Sequence, residues 1–585
     1  MVVDRAYGYS KTFFHLGYFL IAVLGFTLLL SSVTFYLGGS IGFWQFPVAI
    51  LFAILSSHYL QRGVNTRGSS RRSYVATVGV PLLLVLLSLL VSACFYDVSY
   101  DGQAYHQEAV IQLANGWNPY WDAPLSERVN QAIWINHYAK GMETVQAAIY
   151  AASGTIEAGK ATNMMLWMGS FSLVVSCIGY MGWLSLKQAV LLGALFASNP
   201  VVMNQLITFY VDGVLASLLL ALLATGICFL YRLERRLLLL FAFIVILIVN
   251  VKFTAIVYVV FIVGGFLLWL AFQKKWPVFK MFLLAAVAIG ILSLVVGYNP
   301  YVTNTVGYGH PFYPLMGKDP VDIMVINTPL DFEGKSELQR FFISLFSRTE
   351  IVYPWDVGIA KLKIPFTVYE GEIISTPRVD CRLGGFGPFF SGILLLAIAL
   401  LAIQYPKGRN KPVFYGIMGF IAITIVSLII MPESWWARYV PHFWFVPIAI
   451  LLGSELLLPG NYRLLKGCLY VALVLNIGFS FAGFLLNAIL KSKINYQLEV
   501  LASSNQPIVV EWGDSASNRI RFDDRGIPFH EQKNLLKLRE EGARVEKIAG
   551  SQAMFIWPDD ADRSITKSPW LRLTEHWIPL RWQHY

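Results

Sequence analysis

Charge is what this sequence lacks most. Only 14% of its 585 residues are Asp, Glu, Lys or Arg, against roughly 25% in a soluble domain. With 56% hydrophobic residues and a mean hydropathy of +0.58, the chain reads as a polytopic membrane protein. Cysteine is scarce as well. Cys94, Cys177, Cys228, Cys381 and Cys468 lie mostly in or beside apolar runs. Their spacing matches neither a metal cage nor a disulfide framework. No internal repeat is visible, which weighs against a transporter built from inverted repeats. No small-residue cleavage site follows the first apolar run, so that run reads as a retained helix rather than a signal peptide. A concentrated basic stripe is missing too. The net charge of +10 is dispersed into short segments between apolar runs, a pattern of membrane topology rather than of nucleic-acid binding.

Long apolar runs are what the chain does have. A hydrocarbon core of about 30 Å needs roughly 20 apolar residues at about 1.5 Å each. Backbone amides in lipid must be satisfied within the segment, so such runs become helices. They are too long and too uniform for the alternating strands of a membrane β-barrel. About thirteen spans are expected, near 13–36, 42–60, 76–96, 163–184, 188–204, 211–231, 237–251, 253–273, 279–298, 388–405, 412–431, 439–458 and 464–489. Every second connection is basic: "QRGVNTRGSSRRS", "YRLERR", "QKKW", "PKGRNK" and "NYRLLK". Basic loops stay inside, which puts the N-terminus in the cytoplasm.

Three divisions result. Residues 1–75 hold two helices and a basic cytoplasmic loop. Residues 76–489 form a transmembrane core with outward loops 97–162 and 299–387. Residues 490–585 form a small extracytoplasmic α/β domain. In that domain "QPIVVEWG" reads as a strand, "FHEQKNLLKLREEGARV" as a helix ending near Gly542, and "VEKIAGSQAMFIWP" as a second strand.

Ionisable residues collect at the outward face. "FYDVSYDGQAYHQEA", residues 95–109, leaves the third span with Asp97, Asp101, Tyr105, His106 and Glu108. A helix over 97–114, ended by Gly116 and Pro119, would set Asp97, Asp101 and Glu108 on one face with Tyr105. A solvated amphipathic helix is the plain reading of that pattern. Further outward turns add Asp212 at the head of a span and Lys252 in "VNVKFT". "MPESWWARYVPHFWF" adds Glu433, Trp435, Trp436, Arg438 and His442. A helix-start acid, a snorkelling lysine and an interfacial tryptophan belt account for several of these. Arg438 fits none of those roles, and a guanidinium there suits a phosphate. Carboxylates, cations and aromatic rings together suit transfer from a phosphate-linked donor to a hydroxyl acceptor. The four outward histidines, His106, His137, His310 and His442, lack metal-ligand spacing.

The layout over about 76–460 resembles the GT-C superfamily of integral-membrane glycosyltransferases, such as aminoarabinose transferases and protein O-mannosyltransferases. The resemblance rests on "YDGQAYH", "HYAKGMETVQAAIYAASG", "NPVVMNQLITFYVDG", "GYGHPFYPLMG" and "ARYVPHFWF". It implies a polyprenyl-phosphate sugar donor, a lipid, glycan or protein acceptor, inversion at the sugar, and a bacterial inner-membrane location. Asp101 would be the base, with Asp97 as the alternative. Tyr105, His106, Glu108, Glu433, Lys252 and Arg438 would bind substrate, the last two at the phosphate. Asp212 would support the base or hold a divalent cation, Mg or Mn. A transporter or flippase, and a non-catalytic assembly factor for a lipid-linked glycan, are the competing expectations.

Overall fold

The computed structural model describes residues 2–62, 75–182, 184–324, 327–350, 359–408, 411–562 and 564–577. Most of the basic segment 61–73, and part of "PKGRNK", lie outside them. The chain is mostly helical, with a small sheet near its C-terminus. Among the described residues, seven helices are long and apolar enough to cross a membrane: Tyr9–Tyr36, Ile156–Met181, Asp212–Arg232, Ala255–Phe272, Trp276–Val296, Pro412–Ile430 and Arg463–Ala502. The six remaining windows coincide with apolar helices of 10–17 residues. The fifth shows why they are short. A helix over Leu186–Ala197 stops, and Asn199 caps the next, Pro200–Gln205, by accepting from Val201 N at 3.0 Å. Twelve residues reach only about 18 Å.

The first helix lies at the centre of the bundle, with every residue from Tyr18 to Leu24 fully buried. Small residues let it pack closely. A Cβ on Gly17 would come within 2.9 Å of the Gly169 carbonyl, and one on Gly25 within 2.5 Å of the Phe243 ring. Close backbone approach of this kind is the main source of helix cohesion in lipid. By contrast, Trp276–Val296 turns most of its surface outward, with Leu284 70% and Ile291 61% exposed.

The boundary expected at residue 490 falls inside one helix, Arg463–Ala502. Its later turns present Leu490, Ile494, Leu498 and Leu501 to the core of the C-terminal unit, so burial carries the helix on. Beyond it lie four strands: β1 (Ile508–Glu511), β2 (Phe529–Glu531), β3 (Val545–Lys547) and β4 (Met554–Ile556). Their order is β2-β1-β4-β3, with β1 and β2 parallel and the other pairs antiparallel. "FHE", expected to begin a helix, is β2, and the helix is confined to Leu535–Glu540. The segment expected as one strand is a hairpin of two, β3 and β4.

Candidate active site

Asp97 comes first in the chain and is the most constrained. It precedes the helix rather than joining it, and it is wholly buried. Its Oδ1 accepts from Ser99 N at 2.7 Å and Ser99 Oγ at 2.5 Å, and its Oδ2 accepts from Phe209 N at 2.7 Å. The carboxylate thus ties the segment after the helix Val80–Ala93 to the turn before Asp212. Burial pushes its pKa up; Lys160 opposes this and Glu157 adds to it. Gly102 is required beside it, because a Cβ there would lie 2.2 Å from both Asp97 Oδ2 and Ser99 Oγ.

The expected single acidic face does not form. Residues Gly102–His106 make a π turn, in which Gln107 N donates to Gly102 O. The inserted residue rotates the later turns of the helix about its axis. Asp101 and Tyr105 line a cavity, while Glu108 turns away from it. Glu108 instead accepts from Arg519 at 2.5 and 2.7 Å and from Gln112 at 2.7 Å. Asp97 and Glu108 are therefore structural, which corrects their expected roles as alternative base and substrate ligand. Glu433 is likewise outside the cavity lining and accepts from Trp435 Nε1 at 2.6 Å. Trp435 and Trp436 are 2% and 3% exposed, stacked on each other rather than facing lipid as a belt would.

Arg438 is the centre of what remains. Its Nη2 donates to Asp101 Oδ2 at 2.9 Å and its Nη1 to Asp380 Oδ1 at 3.0 Å. Its Nε lies 3.0 Å from Asp212 Oδ2, as an ion pair without hydrogen-bond alignment. Burial opposes the charge on this guanidinium, but the three carboxylates prevail and hold it protonated, well above its ordinary value. Lys252 Nζ sits 2.7 Å from Asp212 Oδ1 and 4.1 Å from the centre of the Tyr439 ring. Tyr210 and Trp436 flank Arg438 at 5.0 Å each. Asp101 N donates to Tyr210 Oη at 3.4 Å. Burial, then the Asp101 charge, drives the Tyr105 phenol well above its usual value, so it stays a neutral donor.

His106 lines the same cavity and pairs through Nδ1 with Glu143 Oε1 at 2.5 Å. Glu143 sits on the helix Gly141–Ser153, whose first residue donates from its N–H to Asn250 O at 2.7 Å. Three other histidines have separate partners: His137 with Asn304, His442 with Ser427, and His310 with Phe312 N. Sequence reasoning misses two members of the site. Asp380 lies in a long mixed loop with no periodicity to mark it. Glu143 lies within "HYAKGMETVQAAIYAASG", where its position on a helix gives no sign that it meets His106.

No protein-family model and no curated protein matches this chain. Its function is therefore read from the site.

The cavity has a volume of about 1480 Å³. Asp212 begins an apolar helix, Lys252 lies between two, and Asp101, Asp380 and Arg438 lie in segments that connect helices. The C-terminal unit closes part of the rim through Asp514, Gly550 and Gln552. The charges nearly balance: three aspartates face Arg438 and Lys252, with Arg382 3.7 Å from Asp380. Among the described residues, no group of three or more His, Cys, Asp or Glu side chains is arranged to hold a metal ion. Asp212 has both oxygens engaged, by Lys252 on one side and by Gln205 and Arg438 on the other. That donor set does not fit a divalent cation in this arrangement.

Proposed function

We propose that this integral membrane protein is a glycosyltransferase of the GT-C kind. It would move a sugar from a polyprenyl-phosphate donor to an acceptor outside the cytoplasm. The observation that carries the reading is the Asp101–Arg438 ion pair on the wall of a large cavity in a bundle of apolar helices. The proposal includes thirteen crossings, a cytoplasmic N-terminus, a C-terminal domain on the outer side, and a bacterial inner-membrane location.

In the resting site Arg438 is shared by three carboxylates. A donor phosphate carries the same charge and a better geometry for the guanidinium fork. Its arrival draws Arg438 and Lys252 toward the phosphate and leaves Asp101 without its counterion. Asp101 then accepts the proton of the acceptor hydroxyl. The acceptor oxygen forms its bond to the sugar's anomeric carbon as the bond from that carbon to the phosphate oxygen breaks. The bonding electrons leave with the polyprenyl phosphate, whose charge Arg438 and Lys252 stabilise. Attack opposite the leaving group inverts the anomeric centre. Tyr105, Tyr210, Tyr439 and Trp436 supply ring faces for a sugar or prenyl chain. No step is routed through a metal.

The test is sugar release from a panel of polyprenyl-phosphate sugars by reconstituted protein, with Asp101→Asn beside the parent. Loss of turnover with donor binding retained supports Asp101 as base. Full turnover by Asp101→Asn refutes that assignment. Donor binding by a parent that never turns over would favour the transport or assembly readings.

A further inference from the structure

The segment "KLKIPFTVYE", residues 361–370, folds inside out. Its neighbours hold residues 361–363 of this strap extended, and a turn follows in which Thr367 N donates to Ile364 O at 3.2 Å. Ser347 and Leu362 form an antiparallel bridge, Arg348 N donates to Lys361 O at 2.8 Å, and Lys363 N donates to Phe346 O at 2.9 Å. Exposure alternates along the segment, with 362, 364, 366 and 368 exposed and 363, 365 and 367 less so. The inner face carries Lys363, ion-paired with Glu372, and the two side chains are only 2% and 1% exposed. Glu372 also accepts from Thr349 N at 2.8 Å and Tyr369 N at 2.9 Å. The outer face carries Leu362, Ile364, Phe366 and Val368, exposed by 64%, 73%, 43% and 36%. A half-buried strand in water does the reverse, with apolar residues inward and lysine outward. The hydrogen-bonded frame fixes this inverted arrangement in place.

Where the strap is anchored identifies what covers it. Phe366 adopts a φ of +67°, an uncommon conformation for a bulky residue. That turn lays its ring on Gly392, where a Cβ would come within 2.5 Å. The ring also lies 6.0 Å from Phe389, which is 5.5 Å from Phe479. Gly392 is in the first turn of the apolar helix Phe390–Gly408, and Phe479 is on the membrane-spanning helix Arg463–Ala502. Apolar side chains farther along the first of these helices, Leu395 and Ile398, are about half exposed, at 46% and 51%. The strap's outer face is thus continuous with surface that meets lipid. Lys361, with a side chain 59% exposed, adds a positive charge suited to anionic headgroups.

We propose that residues 361–368 lie in the bilayer interface as a monotopic strap, with lipid covering Leu362, Ile364, Phe366 and Val368. Ile359 before it, Lys361 at its first position, and Glu370 and Gly371 after it line the cavity. The strap therefore separates cavity from bilayer, and an apolar tail passing between the two need not cross water. This holds whatever reaction the cavity serves.

The experiment uses full-length protein in which the two exposed cysteines are replaced, Cys94→Ser and Cys468→Ser. Leu362→Cys, Ile364→Cys and, as control, Lys537→Cys on the C-terminal unit are each labelled with a nitrobenzoxadiazole fluorophore. The labelled proteins are reconstituted into liposomes with and without doxyl-labelled lipid, and size exclusion confirms that each matches the parent. Labels at 362 and 364 should show blue-shifted emission and severalfold stronger doxyl quenching than the label at 537. Quenching no stronger than at 537 would overturn the proposal. Blue-shifted emission without lipid quenching would also overturn it, because a second copy or another protein would then cover the strap. Either labelled position suffices should the other variant fail to fold.

Discussion

The short stretch from Phe95 to Glu108 feeds two charge clusters that differ in their surroundings. One gathers Asp101, Asp212, Asp380, Lys252 and Arg438 on the wall of a large cavity. The other forms the seam with the C-terminal unit. There Arg519 pairs with Glu108, Lys160 lies 2.5 Å from Glu157, and Arg521 donates to Asp97 O at 2.6 Å. None of Asp97, Glu108, Glu157, Lys160, Arg519 and Arg521 lines the cavity, whereas Asp514 of the C-terminal unit reaches its rim. A carboxylate can act on a ligand only where its counterion can be drawn away by something that fits. Space beside the ion pair, rather than the ion pair itself, separates an aspartate that a ligand can reach from one sealed in the protein.

The largest expected effect breaks the comparison most directly. Asp101→Asn should lower turnover about 1000-fold, or about 4 kcal/mol in the barrier, as for loss of a general base. Its unfolding temperature in detergent should stay at the parental value. Asp97→Asn should keep parental turnover per folded molecule, and an exchange of these two phenotypes would reverse the assignment. Next comes Asp97→Ala, which strands the buried Ser99 and Phe209 amides. A loss of about 3 kcal/mol is expected in denaturant titration. Arg519→Ala should cost less, about 2 kcal/mol, because the Arg519 side chain is 28% exposed while the Glu108 it abandons is 2% exposed. Reversing both charges, Glu108→Arg with Arg519→Glu, should recover part of it if pairing is the cause.

Lys140 belongs to neither cluster and gives a pH readout. Burial lowers its ammonium to about 7, with the Glu143 charge opposing. Between about 7 and the unfolded value of about 10.4, the unfolded chain binds the extra proton, so stability should rise with pH across that window. Lys140→Met should flatten the slope, and an unchanged slope would move its origin elsewhere. The smallest effect is expected from Lys361→Ala, whose pair with Glu350 spans 3.5 Å at an exposed site. A change below about 0.5 kcal/mol would fit an exposed pair.

Apolar runs made the helices legible in the sequence, since lipid and burial both demand satisfied backbone. Their lengths were less so, because a window cannot register a capped break such as Asn199. Asp212, Lys252 and Arg438 could be singled out because each is a charge at the edge of an apolar run, and Asp101 because it belongs to a group of acids that follows one. That they share one cluster depends on tertiary contact. The π turn at Gly102–His106 defeated the helical-face argument, since one inserted residue redirects Glu108. Asp380 could not be marked, because nothing in its loop repeats.

The helix Arg463–Ala502 runs unbroken for 40 residues, about 60 Å. Residues Asn487 and Leu490 on it touch the cavity, and its last turns are built into the C-terminal core. Such a rod transmits torque. A twist applied to the C-terminal unit from outside would be carried along this helix to the cavity wall.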